Sequence, residues 1–260
     1  MRAEFENEEG WDKIHQPCPL CNSSDAVGIN KNGSAKCFSC GEKYNYKEKS
    51  EGVDMKTPAV KPVVQQLNDS IGTFAALSDR KIKLETAKKY GVKSTHDLQG
   101  RITKHFYPYY NGHELSATKC RDVQGKGFFS QGTYNDTGLF GQQLFKSGKY
   151  ITVTEGECDA MAAYELLGSK WAVVSIKRGA AGAVRDIKES LEFFDDFENV
   201  IIAFDNDKAG KKASVKVARL FKPSKARIMS LPNGCKDPND MLRQNRHKEF
   251  IEAWWSAKTY

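Results

Sequence analysis

Two short apolar runs that end in carboxylate clusters constrain this chain more than any other feature. Tyr150-Ile151-Thr152-Val153-Thr154 runs into Glu155-Gly156-Glu157-Cys158-Asp159, and Val200-Ile201-Ile202-Ala203-Phe204 runs into Asp205-Asn206-Asp207-Lys208-Ala209-Gly210. An apolar run, an acidic turn and then a helical pattern read as a buried parallel strand feeding a loop. In open α/β sheets, ligands bind at the carboxyl ends of the strands. Glu155, Glu157, Asp159, Asp205 and Asp207 are therefore placed to converge. Close negative charges are tolerable only with cations among them. An oxygen-only donor set selects magnesium or manganese, ions that usually serve phosphates.

The surrounding pattern supports strands that alternate with helices. Strand Tyr150–Thr154 precedes helix Asp159–Leu167. Strand Ala172–Ile176 precedes a loop, Lys177-Arg178-Gly179-Ala180-Ala181-Gly182, and then a helix to about Phe194. Strand Val200–Phe204 precedes helix Lys208–Phe221, and strand Ala226–Leu231 leads through Asp237-Pro238-Asn239-Asp240 to a closing helix. This order implies a parallel sheet with helices on both faces. Upstream, Ser78 is positioned to cap a helix carrying Ile82, Thr86-Ala87 and Tyr90, which Gly91 stops. Ile102–Tyr110 and Glu114–Arg121 read as a hairpin about Asn111-Gly112. Gly125 to Gly138 reads as a glycine-rich polar stretch containing Lys126.

Charge separates along the chain. The net charge is +7, and Ser78 to Lys126 holds 11 Lys and Arg against 5 Asp and Glu. A basic block just before an acidic site is an electrostatic footprint for polyanions. The competing reading is a solvated lysine face, which applies equally to Lys208, Lys211 and Lys212. Mean hydropathy is −0.61 and the apolar runs are far too short for a bilayer. The polar, acidic start shows no signal peptide, which points to a cytoplasmic protein.

Near the start, Cys18-Pro19-Leu20-Cys21 and Cys37-Phe38-Ser39-Cys40 form CxxC-x15-CxxC. Each knuckle offers two thiolates to one tetrahedral ion, so one structural zinc held by Cys18, Cys21, Cys37 and Cys40 is expected. Four thiolates close the coordination sphere and leave no place for substrate. Asn32, Ser34 and Lys36 on the exposed edge, together with Phe38, Tyr44 and Tyr46, are placed to meet bases or phosphates. The aromatics could equally pack the ribbon's small core. Residues 51–66 contain two prolines, mixed charge and no apolar period, the signature of a flexible linker.

The Glu-Gly-x-x-Asp and Asp-x-Asp pair at two strand ends resembles a TOPRIM signature. The order of four-cysteine ribbon, linker, basic hairpin, Leu139-Phe140-Gly141, acidic strand ends and Lys236-Asp237-Pro238-Asn239-Asp240 resembles the primase half of the T-seven-type phage primase–helicases along essentially the whole chain. The resemblance implies an α/β protein with a zinc ribbon (1–50), a linker (51–66), a basic α+β subdomain (67–148), a TOPRIM domain (149–235) and a C-terminal helical segment (236–260). It implies a DNA primase, making short RNA primers on single-stranded DNA from ribonucleoside triphosphates.

Position by position, the resemblance gives Glu155 a metal or general-base role. It places Glu157, Asp159, Asp205, Asp207 and Asp237 around two magnesium or manganese ions, and Lys119, Arg121 and Lys126 on nucleotide phosphates. Lys104, Lys177 and Arg178 are further expected nucleic-acid contacts. A replicative DNA polymerase and a helicase domain, C-terminal or in trans, are the expected partners, and no membrane is. No G-x-x-x-x-G-K-[ST] loop occurs, so the chain reads as a fragment or a short primase.

Two other classes share these parts. A recombination mediator also joins a four-cysteine zinc site to TOPRIM, but with the two adjacent. A TOPRIM topoisomerase needs a DNA gate for which 260 residues leave no room; a TOPRIM nuclease stays open at this point.

Overall fold

The computed structural model describes residues 11–18, 27–37, 43–45, 71–125 and 127–260. The expected linker, Cys21, Cys40, Phe38, Tyr46 and Lys126 lie outside the described residues. The chain divides into two compact units, 1–64 and 65–260.

The first unit is a four-stranded antiparallel sheet in sequence order: β1 (Trp11–Gln16), β2 (Val27–Asn30), β3 (Ser34–Cys37) and β4 (Lys43–Asn45). Its small core gathers Val27, Ile29 and Ala35 with Cys18 and Cys37, all buried. Strand alternation produces this, since Ala35 and Cys37 fall on one face of β3. The β2–β3 turn is closed by Asn32, whose Oδ1 accepts from the backbone N–H of Ser34 (3.0 Å) and from its hydroxyl (2.8 Å).

The second unit joins two sheets. Helix α1 (Leu84–Tyr90) precedes an antiparallel sheet of β5 (Lys93–His96), β6 (Ile102–Asn111), β7 (Glu114–Asp122) and β8 (Phe128–Gly132). The expected helix from Ser78 starts later. Residues 78–80 form a single 3-10 turn, and Lys81 at φ 56° breaks the path. The N–H of Lys83 is instead satisfied by the Glu165 carboxylate, 2.7 Å away, and the helix begins there. The hairpin forms as read, but Asn111 pairs with Glu114, so the two-residue loop is Gly112-His113. Gly112 alone in that loop has positive φ (60°), the pattern of a type II′ turn. The glycine-rich polar stretch, for which no strand was expected, holds β8.

The other sheet contains β9 (Gly148–Thr154), α2 (Glu157–Leu166), β10 (Ala172–Ser175), α3 (Gly179–Glu189), α4 (Leu191–Asp195), β11 (Phe197–Ala203), α5 (Lys208–Ala218), β12 (Ala226–Ile228), α6 (Pro238–Arg243), α7 (His247–Trp255) and β13 (Lys258–Thr259). Its strand order is β10-β9-β11-β12-β13, parallel except for β13. Alternating β11 side chains feed two cores. Ile201 and Ala203 join α2, α6, α7 and the antiparallel sheet, whereas Val200 and Ile202 join α3 and α5. Both faces are therefore covered, which is why these strands read as unbroken apolar runs. Tyr90 ties the two sheets together, its buried hydroxyl donating to the Val173 carbonyl (2.9 Å).

Candidate active site

The carboxyl ends of β9 and β11 and the start of α6 bring Asp159, Asp205 and Asp237 together, with one oxygen of each within 4.8 Å of the others. Each is placed by backbone constraints. Asp159 lies in the first turn of α2 and accepts from the Asn239 N–H (3.2 Å). Asp237 is the N-cap of α6, accepting from the Asp240 N–H (2.8 Å). Asp205 follows β11 just where α5 turns back, and a Cβ on Gly210 would sit 2.3 Å from the Asp205 carbonyl oxygen. Only glycine permits that approach. The Asn206 N–H donates to the Lys236 carbonyl (2.7 Å), stitching the two acidic loops together.

The electrostatics are those of a site short of positive charge. Burial, followed by the charges of Asp237 and Asp205, holds the Asp159 carboxyl well above its usual range. Burial and then Asp205 raise Glu155. Burial raises Asp205 too, against the opposing pull of Lys236, whose Nζ lies 2.7 Å from Asp205 Oδ2. Glu155 Oε1 accepts from the Ala180 N–H (3.1 Å), while its buried Oε2 has no hydrogen-bond partner. An all-oxygen donor set plus an orphaned carboxylate oxygen fits a hard divalent cation.

Across the same cleft, of about 500 Å3, stands a cationic wall. Lys119 and Arg121 alternate on β7 and project from one face of the antiparallel sheet. Lys119 Nζ donates to Glu157 Oε1 (2.7 Å) and to the Lys177 carbonyl (3.2 Å). Arg121 Nε is buried without a partner. Arg80 and Phe128 complete this wall.

Several expected residues sit elsewhere. Glu157 is separate from the aspartate trio; its buried carboxylate accepts from the Tyr109 hydroxyl (2.6 Å) and from Lys119. Asp207 is exposed and caps α5 by accepting from the Gly210 N–H (2.8 Å). Lys177 is only 2% exposed, its ammonium spent on the Thr137 carbonyl and on Glu189. Arg178 is held by Asp186, Glu189 and Asn135. Both are internal ties, not free nucleic-acid contacts, because α3 brings Asp186 and Glu189 back beneath them. Lys104 stands opposite Asp122 in register, on the sheet's other face, with its ammonium over the Phe129 ring. Asn32, Ser34 and Lys36 belong to the first unit and are described with it.

Sequence reasoning missed Arg80, Tyr109 and Phe128, and passed over Lys236 although it precedes Asp237. Lys236 could have been found from that adjacency. Phe128 depends on a strand pairing that no local signal encodes, Arg80 sits on a 3-10 turn tied to Asn239, 159 residues away, and Tyr109 is marked only by its contact with Glu157.

A Toprim-like family profile matches residues 152–242, the segment that carries the whole acidic wall. A bacteriophage T7 primase fragment, cut from its primase–helicase, superposes with a TM-score of 0.67 at 31% identity, covering 94% of this chain and 99% of that one. The chain belongs to the T7-type phage primase family. A bacteriophage T7 assembly, lagging-strand DNA polymerase interacting with primase domains bound to an RNA/DNA hybrid and dTTP, gives a further match. It has 33% identity and a TM-score of 0.67 over 75% of this chain and 98% of that one. The DNA helicase/primase of Enterobacteria phage T3 is 34% identical over 95% of this chain, which spans only 44% of that protein's length. The DnaG catalytic core shares the fold at 15% identity and a TM-score of 0.54. Among the described residues, no helix is long and apolar enough to cross a membrane.

Proposed function

We propose that the cleft joins ribonucleotides on a single-stranded DNA template, and that the chain acts as the primase half of a larger primase–helicase. The observation that carries this reading is the meeting of two opposite walls, Asp159, Asp205 and Asp237 facing Lys119 and Arg121, in one cleft. Asp159, Asp205 and Asp237, with Glu155 beside them, hold two magnesium or manganese ions. Such ions, when bound, activate an attacking hydroxyl and stabilise a leaving phosphate.

The chain's own residues do the rest. Lys119 and Arg121 receive the triphosphate and offset its charge. Lys126, which lies outside the described residues, is assigned to the nucleotide phosphates by the family resemblance alone. Glu155, whose buried Oε2 has no partner and whose carboxyl is raised, takes the proton from the primer 3′-hydroxyl as the new bond to the α-phosphorus forms and pyrophosphate departs. Glu157 holds Lys119 over the cleft and Tyr109 holds Glu157, so the pair positions the phosphate wall instead of binding metal. Asp207 fixes the start of α5 and adds negative charge at the rim.

Cys18, Cys21, Cys37 and Cys40 hold one structural zinc. The spacing and the burial of Cys18 and Cys37 in the first unit's core support it. Metal analysis of residues 1–64 carrying Cys37→Ser checks the assignment: stoichiometric zinc in that variant would remove it. Asn32, Ser34 and Lys36 on this unit read the template, with Lys104 a secondary backbone contact. The partners are those of its relatives' assemblies: a helicase domain and a replicative DNA polymerase, working in the host cytoplasm.

The test is incubation with single-stranded DNA, labelled ribonucleoside triphosphates and magnesium. Short oligoribonucleotides are expected. Nicked DNA would make the site a nuclease, and binding without product would make it a mediator.

A further inference from the structure

The cationic wall carries one side chain that phosphate binding does not explain. Phe128 lies on β8, an edge strand, opposite Arg121 in register, and faces the cleft while remaining 54% exposed. Lys119 Nζ sits 5.0 Å and the Arg121 guanidinium 5.5 Å from its ring centroid. About half of an apolar ring is thus left open to solvent between two cations. Phe128 stands at the mouth of a cleft whose other walls are charged. Its neighbour Phe129 points to the opposite face, away from the cleft, beneath Lys104.

We infer that Phe128 is a stacking platform for a nucleobase, held in place by the two cations that also grip the phosphates. This rests on the nucleotide reading of the cleft. A flat aromatic partner covers the exposed ring, and every base has a π-face, so such a platform tolerates any sequence. Phosphate offers no face to stack and a base offers the largest flat π-face, so the occupant is assigned as a base, either of the incoming nucleotide or of the template. Lys119 and Arg121 over the ring keep it fixed through cation–π attraction and leave their remaining N–H groups for phosphate oxygens.

The experiment measures dissociation constants of the full chain for the four ribonucleoside triphosphates, for inorganic tripolyphosphate and for a single-stranded oligonucleotide. Phe128→Leu keeps apolar bulk and removes the ring. It should weaken nucleotide binding about tenfold and leave tripolyphosphate binding unchanged. Phe128→Tyr and Phe128→Trp should restore affinity to within about twofold, since both keep a π-face. Phe129→Leu should bind nucleotides as the parent does. If Phe128→Leu loses oligonucleotide affinity instead, the base is the template's and the platform stands. Parental affinity of Phe128→Leu for both nucleotide and oligonucleotide would overturn it. So would an equal loss for tripolyphosphate, which would mean that the ring only props the cations. Failure of the unmodified chain to bind tripolyphosphate would strike the phosphate wall and not the platform.

Discussion

The two walls of the cleft are built by different means. The acidic wall is fixed by backbone. Asp205 ends a buried strand, Asp237 caps a helix, and Asp159 is pinned by the Asn239 N–H. The cationic wall is fixed by side chains. Lys119 depends on Glu157, which depends on Tyr109, and Arg121 leans on Phe128. One wall concentrates unfavourable charge and is stable only because strand ends and caps leave its carboxylates nowhere else to go. The other satisfies its charges internally and offers only what is left over. Removing a carboxylate should therefore harm chemistry and spare stability, whereas removing a cation should harm both.

The largest expected effect is on the acidic wall. Asp159→Asn should cut primer synthesis roughly a thousandfold through lost metal binding. In metal-free buffer its melting temperature should be unchanged or higher, because the neutral amide removes repulsion from Asp205 and Asp237 and keeps an acceptor for Asn239. A melting temperature several degrees lower would break the contrast. Next comes Lys119→Met, which should reduce kcat/KM for nucleotides about a hundredfold. It should also cost about 2 kcal/mol of stability, since buried Glu157 is left with one partner. Adding Glu157→Gln should recover most of that stability but none of the activity, and a double-mutant cycle in urea measures the coupling.

Smaller effects sharpen the comparison. Asp207→Ala should cost about 1 kcal/mol from the lost cap of α5, while Asp207→Asn keeps the cap and stays within a few tenths. Any loss of synthesis by Asp207→Asn then reports its part in the metal site alone. Lys236→Gln should tighten manganese binding about threefold, because the Lys236 ammonium no longer competes with the ion for Asp205. Isothermal titration of manganese reads this; weaker binding would make Lys236 a supporting residue.

The same difference governs what the sequence could show. Carboxylates after apolar runs announce strand ends, so the alternation of strands and helices and the places of Asp159 and Asp205 were legible, while Asp237 came only from the family resemblance. The β6–β7 hairpin was legible too, since Asn111-Gly112 is a local signal. The cationic wall was legible only in part. Lys119 and Arg121 could be named, but β8 could not, because glycines flank Phe128–Gly132 and its pairing with β7 is set by the neighbour. Lys177 and Arg178, in a glycine-rich loop, were expected as nucleic-acid contacts. Their partners Asp186 and Glu189 lie 9 and 11 residues on, and only the helical turn of α3 brings them back. The helix expected at Ser78 failed for a similar reason: its start is set by Glu165, 82 residues away from Lys83.

The division of labour between the walls is tested most directly by titrating manganese, followed by electron paramagnetic resonance, and tripolyphosphate into Asp159→Asn and Lys119→Met. Asp159→Asn should lose manganese binding and bind tripolyphosphate at least as well as the parent. Lys119→Met should bind manganese with parental or tighter affinity and lose tripolyphosphate. If either substitution abolished both ligands, or if Asp159→Asn held manganese as the parent does, the two walls would not be separate instruments and the account would fail.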